Sequence, residues 1–359
     1  MSLPNHGANP MYVTQALGIQ HPDNVIDFSV NTNPYGPPSC LKSALKSGAL
    51  IEMLTSYPDP EVTQLKSELA DSFGINSSML LIGNGAAELI FLIANVFQNK
   101  RVAIIEPAFS EYRDACIAYG CEVTSIILSP PWILTYEEVE PYLQGTDLLF
   151  LCTPNNPTGV TYDEKEIVKI IKKADTTGTS VVIDEAFFDF TMSQKTFSNL
   201  ISEYSNLVIL RSLTKMYAIA GLRLGYVIGP PILMKKMKER QPPWSVNGLA
   251  QQVGLQLLQE KAYVKETVAK VSSERERVKR EAEQLGFSVS DSSVNFYLLS
   301  EPSLQNMDHV MKFLIKKGII VRHTYNFNGL EGNYLRCAVK TKEENDLLLA
   351  SLKEWRGTC

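Results

Sequence analysis

The segment NLVILRSLTKMYAIAGLRLGYVIG, residues 206–229, joins two apolar runs by a loop that contains a lysine and an arginine. The first run, Leu207–Leu210, has no polar alternation, which is typical of a strand buried on both faces of a sheet. Lys215 follows this strand beside hydroxyl side chains, and Arg223 lies eight residues further on. Since a surface lysine needs no such setting, the segment predicts a partly desolvated lysine next to a bound anion.

The composition is that of an ordinary globular protein. The chain has 359 residues, of which 45% are hydrophobic and 20% are charged, and this length suits one large domain or two associated ones. The net charge of −5 gives no reason to expect a nucleic-acid partner. No apolar run approaches the ~20 residues that cross a bilayer, so no membrane partner is expected.

The amino terminus and the cysteines indicate the cellular compartment. MSLPNHGANP, residues 1–10, lacks the basic and apolar regions of a signal peptide. The six cysteines show no metal-ligand spacing. The sequence therefore predicts reduced thiols in a cytoplasmic protein, and no metal site.

Short apolar runs alternate with helical patterns between residues 60 and 230. Most of the runs are apolar throughout, and stretches such as AAELIFLIANVFQ and DEKEIVKIIKKA separate them. This alternation predicts an α/β fold, with a large domain built on a mainly parallel seven-stranded sheet. The predicted strands are residues 79–83, 101–106, 121–128, 147–152, 180–185, 206–212 and 225–229.

The sequence pattern changes after PPWSVN, residues 242–247. One long charged helical stretch is predicted over 248–285, with a solvated face. Strand-like runs follow at 294–299, 319–323 and 334–339. We therefore expect a large domain over 46–245, and a smaller α+β domain formed by 246–359 together with the N-terminal segment 1–45.

Polar residues follow several of the predicted strands. Ligands of open α/β sheets bind beyond the carboxyl ends of the strands, so these residues are expected to converge on one crevice. Gly85 lets backbone N–H groups approach an anion at the start of the next helix. Ser212 and Arg223 add a hydroxyl donor and a permanent charge for the same phosphate. Lys215 can form a Schiff base with an aldehyde.

Three further residues suit an aromatic cofactor. Asp184 at a strand end needs a cationic partner, and a protonated pyridine nitrogen is one. Phe109 offers a ring face for stacking, and Asn156 offers an amide for a phenolic oxygen. Singly, each has a plainer interpretation: Asp184 as a cap or ion-pair partner, Phe109 as core, and TPNNPTG (153–159) as a turn. Their joint order along the chain favours the cofactor site.

The chain resembles the fold-type I pyridoxal-phosphate enzymes of aminotransferase class I and II over essentially its whole length. The resemblance implies pyridoxal 5'-phosphate as the cofactor, Lys215 as its Schiff-base lysine and Asp184 as the partner of the ring nitrogen. The motifs that carry it are, in order, YPDP (57–60), GNGAAELI (83–90), TPNNPTG, DEAFFDF (184–190), SLTKMYAIAGLRLG (212–225) and YLRCAV (334–339).

The same resemblance implies a homodimer whose active sites lie at the subunit interface. Tyr57 is then expected to reach the cofactor phosphate of the neighbouring subunit. One departure from the family pattern is the pair Ala86 and Ala87, where relatives often have a side-chain donor. Phosphate binding at this point is therefore expected to use backbone N–H groups alone.

Several features favour a decarboxylase over an aminotransferase within this family. Phe187 stands where aminotransferases of this group usually have a tyrosine, as in DEAY. HGAN (6–9), DFSVNTNPYGPP (27–38), EPAFSEYR (106–113) and PPWSVN also resemble the threonine-phosphate decarboxylases of the cobalamin pathway. The alternative is a histidinol-phosphate aminotransferase, and a remote alternative is a regulatory domain that binds the cofactor without catalysis.

A phosphorylated amino-acid substrate needs cations of its own. The resemblance assigns Arg336 to the substrate carboxylate and Arg322 to the distal phosphate, with His6 and Asn33 as helpers. The plainer interpretation of each arginine is a surface ion pair, and that of His6 is a disordered N-terminal tail.

Overall fold

The computed structural model describes residues 3–41, 53–193 and 195–358. The boundary predicted between residues 45 and 46 lies outside these ranges, and the division into a large and a small domain stays a prediction. The strands are β1 (Ile26–Asp27), β2 (Leu80–Asn84), β3 (Arg101–Glu106), β4 (Glu122–Ile127), β5 (Leu148–Cys152), β6 (Ser180–Asp184), β7 (Leu207–Ser212), β8 (Leu224–Ile228), β9 (Ser288–Val289), β10 (Phe296–Ser300), β11 (Ile319–Ile320), β12 (Arg322–His323) and β13 (Leu335–Ala338).

The main helices pack around these strands. No helix of the described ranges is long and apolar enough to cross a membrane. The helices are α1 (Pro10–Ala16), α2 (Thr63–Phe73), α3 (Gly85–Val96), α4 (Glu111–Ala118), α5 (Tyr136–Leu143), α6 (Glu164–Thr177), α7 (Pro231–Lys238), α8 (Gly248–Leu257), α9 (Lys261–Gln284), α10 (Asp308–Lys316) and α11 (Lys342–Thr358).

A seven-stranded sheet forms the centre of the molecule, in the order β2-β8-β7-β6-β5-β3-β4. Strand β8 is antiparallel to both of its neighbours, and the other pairs are parallel. Each of the seven predicted strands is present. The predicted α/β class with a mainly parallel sheet is therefore confirmed.

The central strands are buried because helices cover both faces of this sheet. Val182 and Val208 belong to one apolar core with side chains of α3, α4 and α7. The next residues along the same strands, Ile183 and Ile209, belong to the other core with side chains of α5 and α6. This follows from the alternation of side chains along a strand, and it explains why these strands are apolar throughout.

A second, four-stranded antiparallel sheet has the order β12-β13-β10-β9. The single strand predicted over 319–323 is two strands: Ile319 pairs with Ile26 of β1, and Arg322 pairs with Arg336 of β13. The prediction was wrong here because the chain passes from one sheet to another at Val321. This pairing also ties the N-terminal segment to the C-terminal part of the chain.

The predicted long helix over 248–285 is two helices, α8 and α9. They have different packing partners. Gly254 of α8 lies against Leu65 of α2 and Leu224 of β8, whereas α9 packs against α11 and β9. The turn between them redirects the chain from one set of partners to the other.

Candidate active site

A cavity of about 350 Å³ opens at the carboxyl ends of β5, β6 and β7. This is the position expected for a ligand site in a sheet of this kind. Its lining includes most of the residues that the sequence predicted: His6, Ala86, Phe109, Asn156, Asp184, Ser212, Lys215, Arg223, Arg322 and Arg336.

One end of the cavity has the geometry expected of a phosphate site. Gly85 has a φ of +78°, and a Cβ placed on it would lie 2.6 Å from Nη2 of Arg223. Ala86 follows it in the first turn of α3, where backbone N–H groups have no partner within the helix. A Cβ on Gly225 would lie 2.9 Å from the Ala86 nitrogen. The glycines thus let a helix N-terminus and a guanidinium approach the same point.

Two buried hydroxyls complete this end. Ser212 ends β7, and its Oγ lies 2.9 Å from Oγ1 of Thr214. Both residues line the cavity. Ser212 was predicted to bind the phosphate and Thr214 was not, because a Ser-x-Thr spacing by itself does not show that two side chains meet.

Lys215 lies in the same loop and is well suited to covalent chemistry. Burial, together with the charges of Arg336 and Arg223, lowers the pKa of its amine to about 8, while Asp184 and Glu111 act in the opposite direction. A lysine in this state is neutral for part of the time at neutral pH. Its amine can therefore attack an aldehyde.

Asp184 is buried at the carboxyl end of β6. Its Oδ1 accepts a hydrogen bond of 2.8 Å from the Ala186 N–H, and its Oδ2 accepts one of 2.6 Å from the Tyr112 hydroxyl. Burial raises the pKa of this carboxyl to about 6, in spite of both hydrogen bonds. A cation such as a protonated pyridine nitrogen would offset that cost.

Tyr112 was not predicted as a site residue. It lies on α4, and its ring stacks on Phe150 at 5.0 Å and meets Phe109 edge-on at 6.0 Å. The sequence could not join it to Asp184, 72 positions away. Only the packing of α4 against β5 and β6 brings the two together.

Arg336 is buried at the wall formed by β13. Its Nη1 donates to Oδ1 of Asn156 at 2.7 Å, and its Nη2 donates to the Ser29 carbonyl at 2.8 Å. Its Nε is buried and has no hydrogen-bond partner in the described part of the chain. Burial and the charge of Arg322 lower the pKa of this guanidinium to about 9. An anion bound here would give Nε a hydrogen-bond partner and would stabilise the charged form of the guanidinium.

Arg322 lies beside Arg336 and binds the N-terminal segment. Its guanidinium donates to the carbonyls of Pro4 and Asn5, and to Oδ1 of Asn326 at 2.6 Å. His6 is held over the cavity by Glu111, with 3.3 Å between Nε2 and Oε1. Glu111 also was not predicted as a site residue, although it lies within the EPAFSEYR motif.

Three predicted residues are absent from the lining of this cavity: Gly85, which lies against Arg223 at its edge, Asn33 and Tyr57. Asn33 is buried, and its amide donates to the Met216 carbonyl and to the hydroxyls of Tyr263 and Thr267. Its backbone N–H donates to the Lys215 carbonyl. Asn33 therefore supports the loop that carries Lys215, and its expected contact with substrate stays a prediction.

Tyr57 is also absent from the cavity of its own chain. Its side chain is 84% exposed, and its ring lies 4.9 Å from that of Trp244. Its expected contact with a partner subunit stays a prediction.

The fold and the site define a pyridoxal-phosphate-dependent enzyme. The described residues fit pyridoxal phosphate. The space in front of Gly85 has no room for a Cβ, and the groups that can donate to a phosphate converge there. Asp184 and Lys215 lie in the same cavity. The chain belongs to the aminotransferase class I and II family, which matches residues 23–352.

Relatives with two different reactions are about equally similar. The threonine-phosphate decarboxylase of Salmonella typhimurium is 34% identical over 97% of this chain and 95% of its own. The histidinol-phosphate aminotransferase of Caldanaerobacter subterraneus is 35% identical over 83% of this chain and 84% of its own. Among solved structures, the histidinol-phosphate aminotransferase of Clostridium acetobutylicum superposes with a TM-score of 0.87 at 29% identity, covering 93% of this chain and 100% of its own.

Proposed function

We propose that this protein decarboxylates O-phospho-L-threonine to aminopropanol phosphate, as a step of cobalamin biosynthesis. The observation that carries the proposal is the pair Arg322 and Arg336. They are directly opposite each other on the antiparallel strands β12 and β13, both are buried, and neither forms an ion pair with a described residue.

Two adjacent buried cations favour a ligand with two adjacent anions. Like charges directly opposite on neighbouring strands destabilise a sheet, and a buried charge without a counterion is costly. O-phospho-L-threonine carries its carboxylate and its phosphate on neighbouring carbons, so one molecule can neutralise both arginines. Histidinol phosphate has one anionic group and leaves one arginine unpaired.

The residues present are suited to the chemistry of decarboxylation. Pyridoxal phosphate, when bound, withdraws electrons from the bonds to the substrate Cα. We assign to Asp184 the stabilisation of a protonated ring nitrogen, and to Arg336 the orientation of the substrate carboxylate. Lys215, with its lowered pKa, returns a proton to the carbon that CO2 has left.

Phe187 supports the same assignment. It is buried in the cavity wall, with its ring 4.8 Å from that of Phe296. Because it has no hydroxyl, it cannot donate a hydrogen bond to the phenolic oxygen of the cofactor. Asn156 is then the group that we assign to that oxygen.

We also propose a homodimer with shared active sites. The exposed aromatic pair Tyr57 and Trp244 is suited to burial against a second copy, with Tyr57 reaching the partner's cofactor phosphate. Sedimentation equilibrium should give twice the mass of the chain, and a monomeric holoenzyme with full activity would overturn this.

Steady-state assays with two substrates test the proposed reaction. O-phospho-L-threonine without a keto acid should give sustained CO2 release, whereas histidinol phosphate with 2-oxoglutarate should give little glutamate. The opposite pattern would assign the protein to the histidinol-phosphate aminotransferases.

A further inference from the structure

A partly buried carboxylate lies at the cationic end of the cavity. Glu111 begins α4, and only 14% of its side chain is exposed. Besides His6, its near neighbour is the Ser110 hydroxyl, 3.4 Å from Oε2. The reaction described above gives this side chain no role, although it lines the same cavity as Arg322.

Charged groups from four parts of the chain act on Glu111. They are His6 from the N-terminal segment, Asp114 from its own helix, Arg322 from β12, and Lys215 from the loop after β7. Burial is the largest influence and raises the pKa of Glu111; His6 lowers it, and Asp114 raises it further. The carboxyl is therefore easier to protonate than one on the surface.

A phosphoryl group bound at Arg322 would enter the same part of the cavity. A phosphomonoester is mainly a dianion at pH 7, because its second pKa is about 6. A dianion and a carboxylate repel each other strongly in a buried site. One proton between them removes much of that repulsion and supplies a charge-assisted hydrogen bond.

We propose that Glu111 is a specificity-determining residue, which binds the phosphoryl group of the substrate through one shared proton. The proton comes from solvent, so that each phosphomonoester bound takes up one proton. This inference rests on the proposed function, in which Arg322 holds the substrate phosphate.

The proposal fixes the direction of the pH dependence. A group whose pKa rises when a ligand binds gives full affinity below its unbound pKa. Affinity then falls by about tenfold for each pH unit above that value, until the pKa of the complex is reached. Replacing Glu111 by glutamine removes the repulsion, and so the variant should bind phosphomonoesters more tightly than wild type at alkaline pH.

Calorimetry with phosphoethanolamine tests this on the holoenzyme. Titrations in buffers of different ionisation enthalpy give the number of protons taken up on binding. At pH 7.5, wild type should take up about one proton more than Glu111→Gln. At pH 5.5 the two proteins should agree within about twofold, and at pH 8.5 the variant should bind on the order of 100-fold more tightly than wild type, because the full proton is taken up over about two pH units.

Three controls test whether Glu111 and the phosphoryl group are the cause of the proton uptake. Ethanolamine, which lacks the phosphoryl group, should show no difference between the two proteins. Glu111→Asp, which keeps a carboxylate, should keep the proton uptake, and Glu111→Ala serves as a second variant without a carboxylate if Glu111→Gln folds poorly. His6→Asn should keep the uptake; if His6→Asn loses it while Glu111→Gln keeps it, His6 is the proton carrier and the inference is overturned.

Two further outcomes would also overturn it. Equal proton uptake in wild type and Glu111→Gln would show that Glu111 shares no proton with the ligand. Phosphoethanolamine binding no better than ethanolamine would show that no phosphoryl group lies at Arg322. Because calorimetry measures binding alone, it is independent of whether O-phospho-L-threonine releases CO2, which tests the proposed function.

Discussion

Gly85 and Arg223 are in such close contact that a Cβ on the glycine would lie 2.6 Å from a guanidinium nitrogen. The φ of Gly85, +78°, is also one that favours glycine. The two residues come from different strand ends, after β2 and before β8. The phosphate site therefore depends on the absence of a side chain as much as on the donors present.

Gly85→Ala should weaken cofactor binding by about tenfold. Left-handed strain costs roughly 1–2 kcal/mol, and the new methyl group must displace Arg223 from the phosphate. The dissociation constant of pyridoxal phosphate, measured by fluorescence on the apoenzyme, checks this. Gly221→Ala is the matched control, because a Cβ at Gly221 meets nothing within 4 Å; equal effects of both changes would contradict the assignment.

Lys215→Ala should abolish covalent attachment of the cofactor. Ser212, Thr214, Arg223 and Asp184 remain in place, so that non-covalent binding should persist. Mass spectrometry after borohydride reduction should find the cofactor on Lys215 in wild type and no covalent adduct in the variant. An adduct on another lysine of the variant protein would show that the wrong lysine was assigned.

Cofactor attachment to the apoenzyme should have a pH profile set by Lys215. Only the neutral amine attacks the aldehyde, and burial with Arg336 and Arg223 lowers its pKa to about 8. The rate constant should therefore rise about tenfold per pH unit below 8 and level off above it. Arg336→Ala should move the midpoint upward, because it removes a like charge. A rate that rises without levelling until pH 10 would contradict the lowered pKa.

Asp184→Asn should keep the fold and lose most of the activity. An amide cannot stabilise a protonated ring nitrogen by charge, and losing one such electrostatic partner costs on the order of 100- to 1000-fold in kcat. Tyr112→Phe is the comparison: it removes the 2.6 Å hydrogen bond to Asp184 but leaves the charge, and so its effect should be smaller. Near-normal turnover of Asp184→Asn would refute the role.

Arg322→Ala and Arg336→Ala should differ in their effect on two substrates. A charge-assisted contact to an anion is worth roughly 1.5–3 kcal/mol, or about 10- to 150-fold. Arg322→Ala should lower kcat/KM for O-phospho-L-threonine by this factor and leave L-threonine nearly unchanged, whereas Arg336→Ala should lower both. The exposed Arg280→Ala is the control. If Arg322→Ala lowered kcat/KM equally for both substrates, Arg322 would not be the residue that binds the substrate phosphate.

The fold was largely predictable because the hydrophobic pattern of each strand and helix is visible within a short stretch of sequence. The central strands of the seven-stranded sheet are buried on both faces and mostly apolar, and the order of strands and intervening helices specifies the sheet class. The break at Val321 was not visible in IIVRH, since it depends on pairing between Ile319 and Ile26.

The convergence of side chains on one cavity was predictable where residues follow strand ends, as Asp184, Ser212 and Lys215 do. Tyr112, Thr214 and Glu111 were missed because their roles depend on where helix α4 and the loop after β7 pack. For Asn33 the motif predicted a contact with substrate, which stays a prediction, and the structure adds that its buried amide donates to Met216, Tyr263 and Thr267. The donor and acceptor capacity of a buried amide is satisfied by whatever the tertiary structure brings near it.

A single-turnover experiment separates decarboxylation from transamination by counting both products of one substrate molecule. Holoenzyme in excess over O-phospho-L-threonine, without any keto acid, is quenched after one turnover, and CO2 and aminated cofactor are counted separately. About one CO2 should be released for each substrate consumed, with almost no aminated cofactor, because Arg336 orients the carboxylate for loss. Aminated cofactor without CO2 would contradict the account and make the protein an aminotransferase.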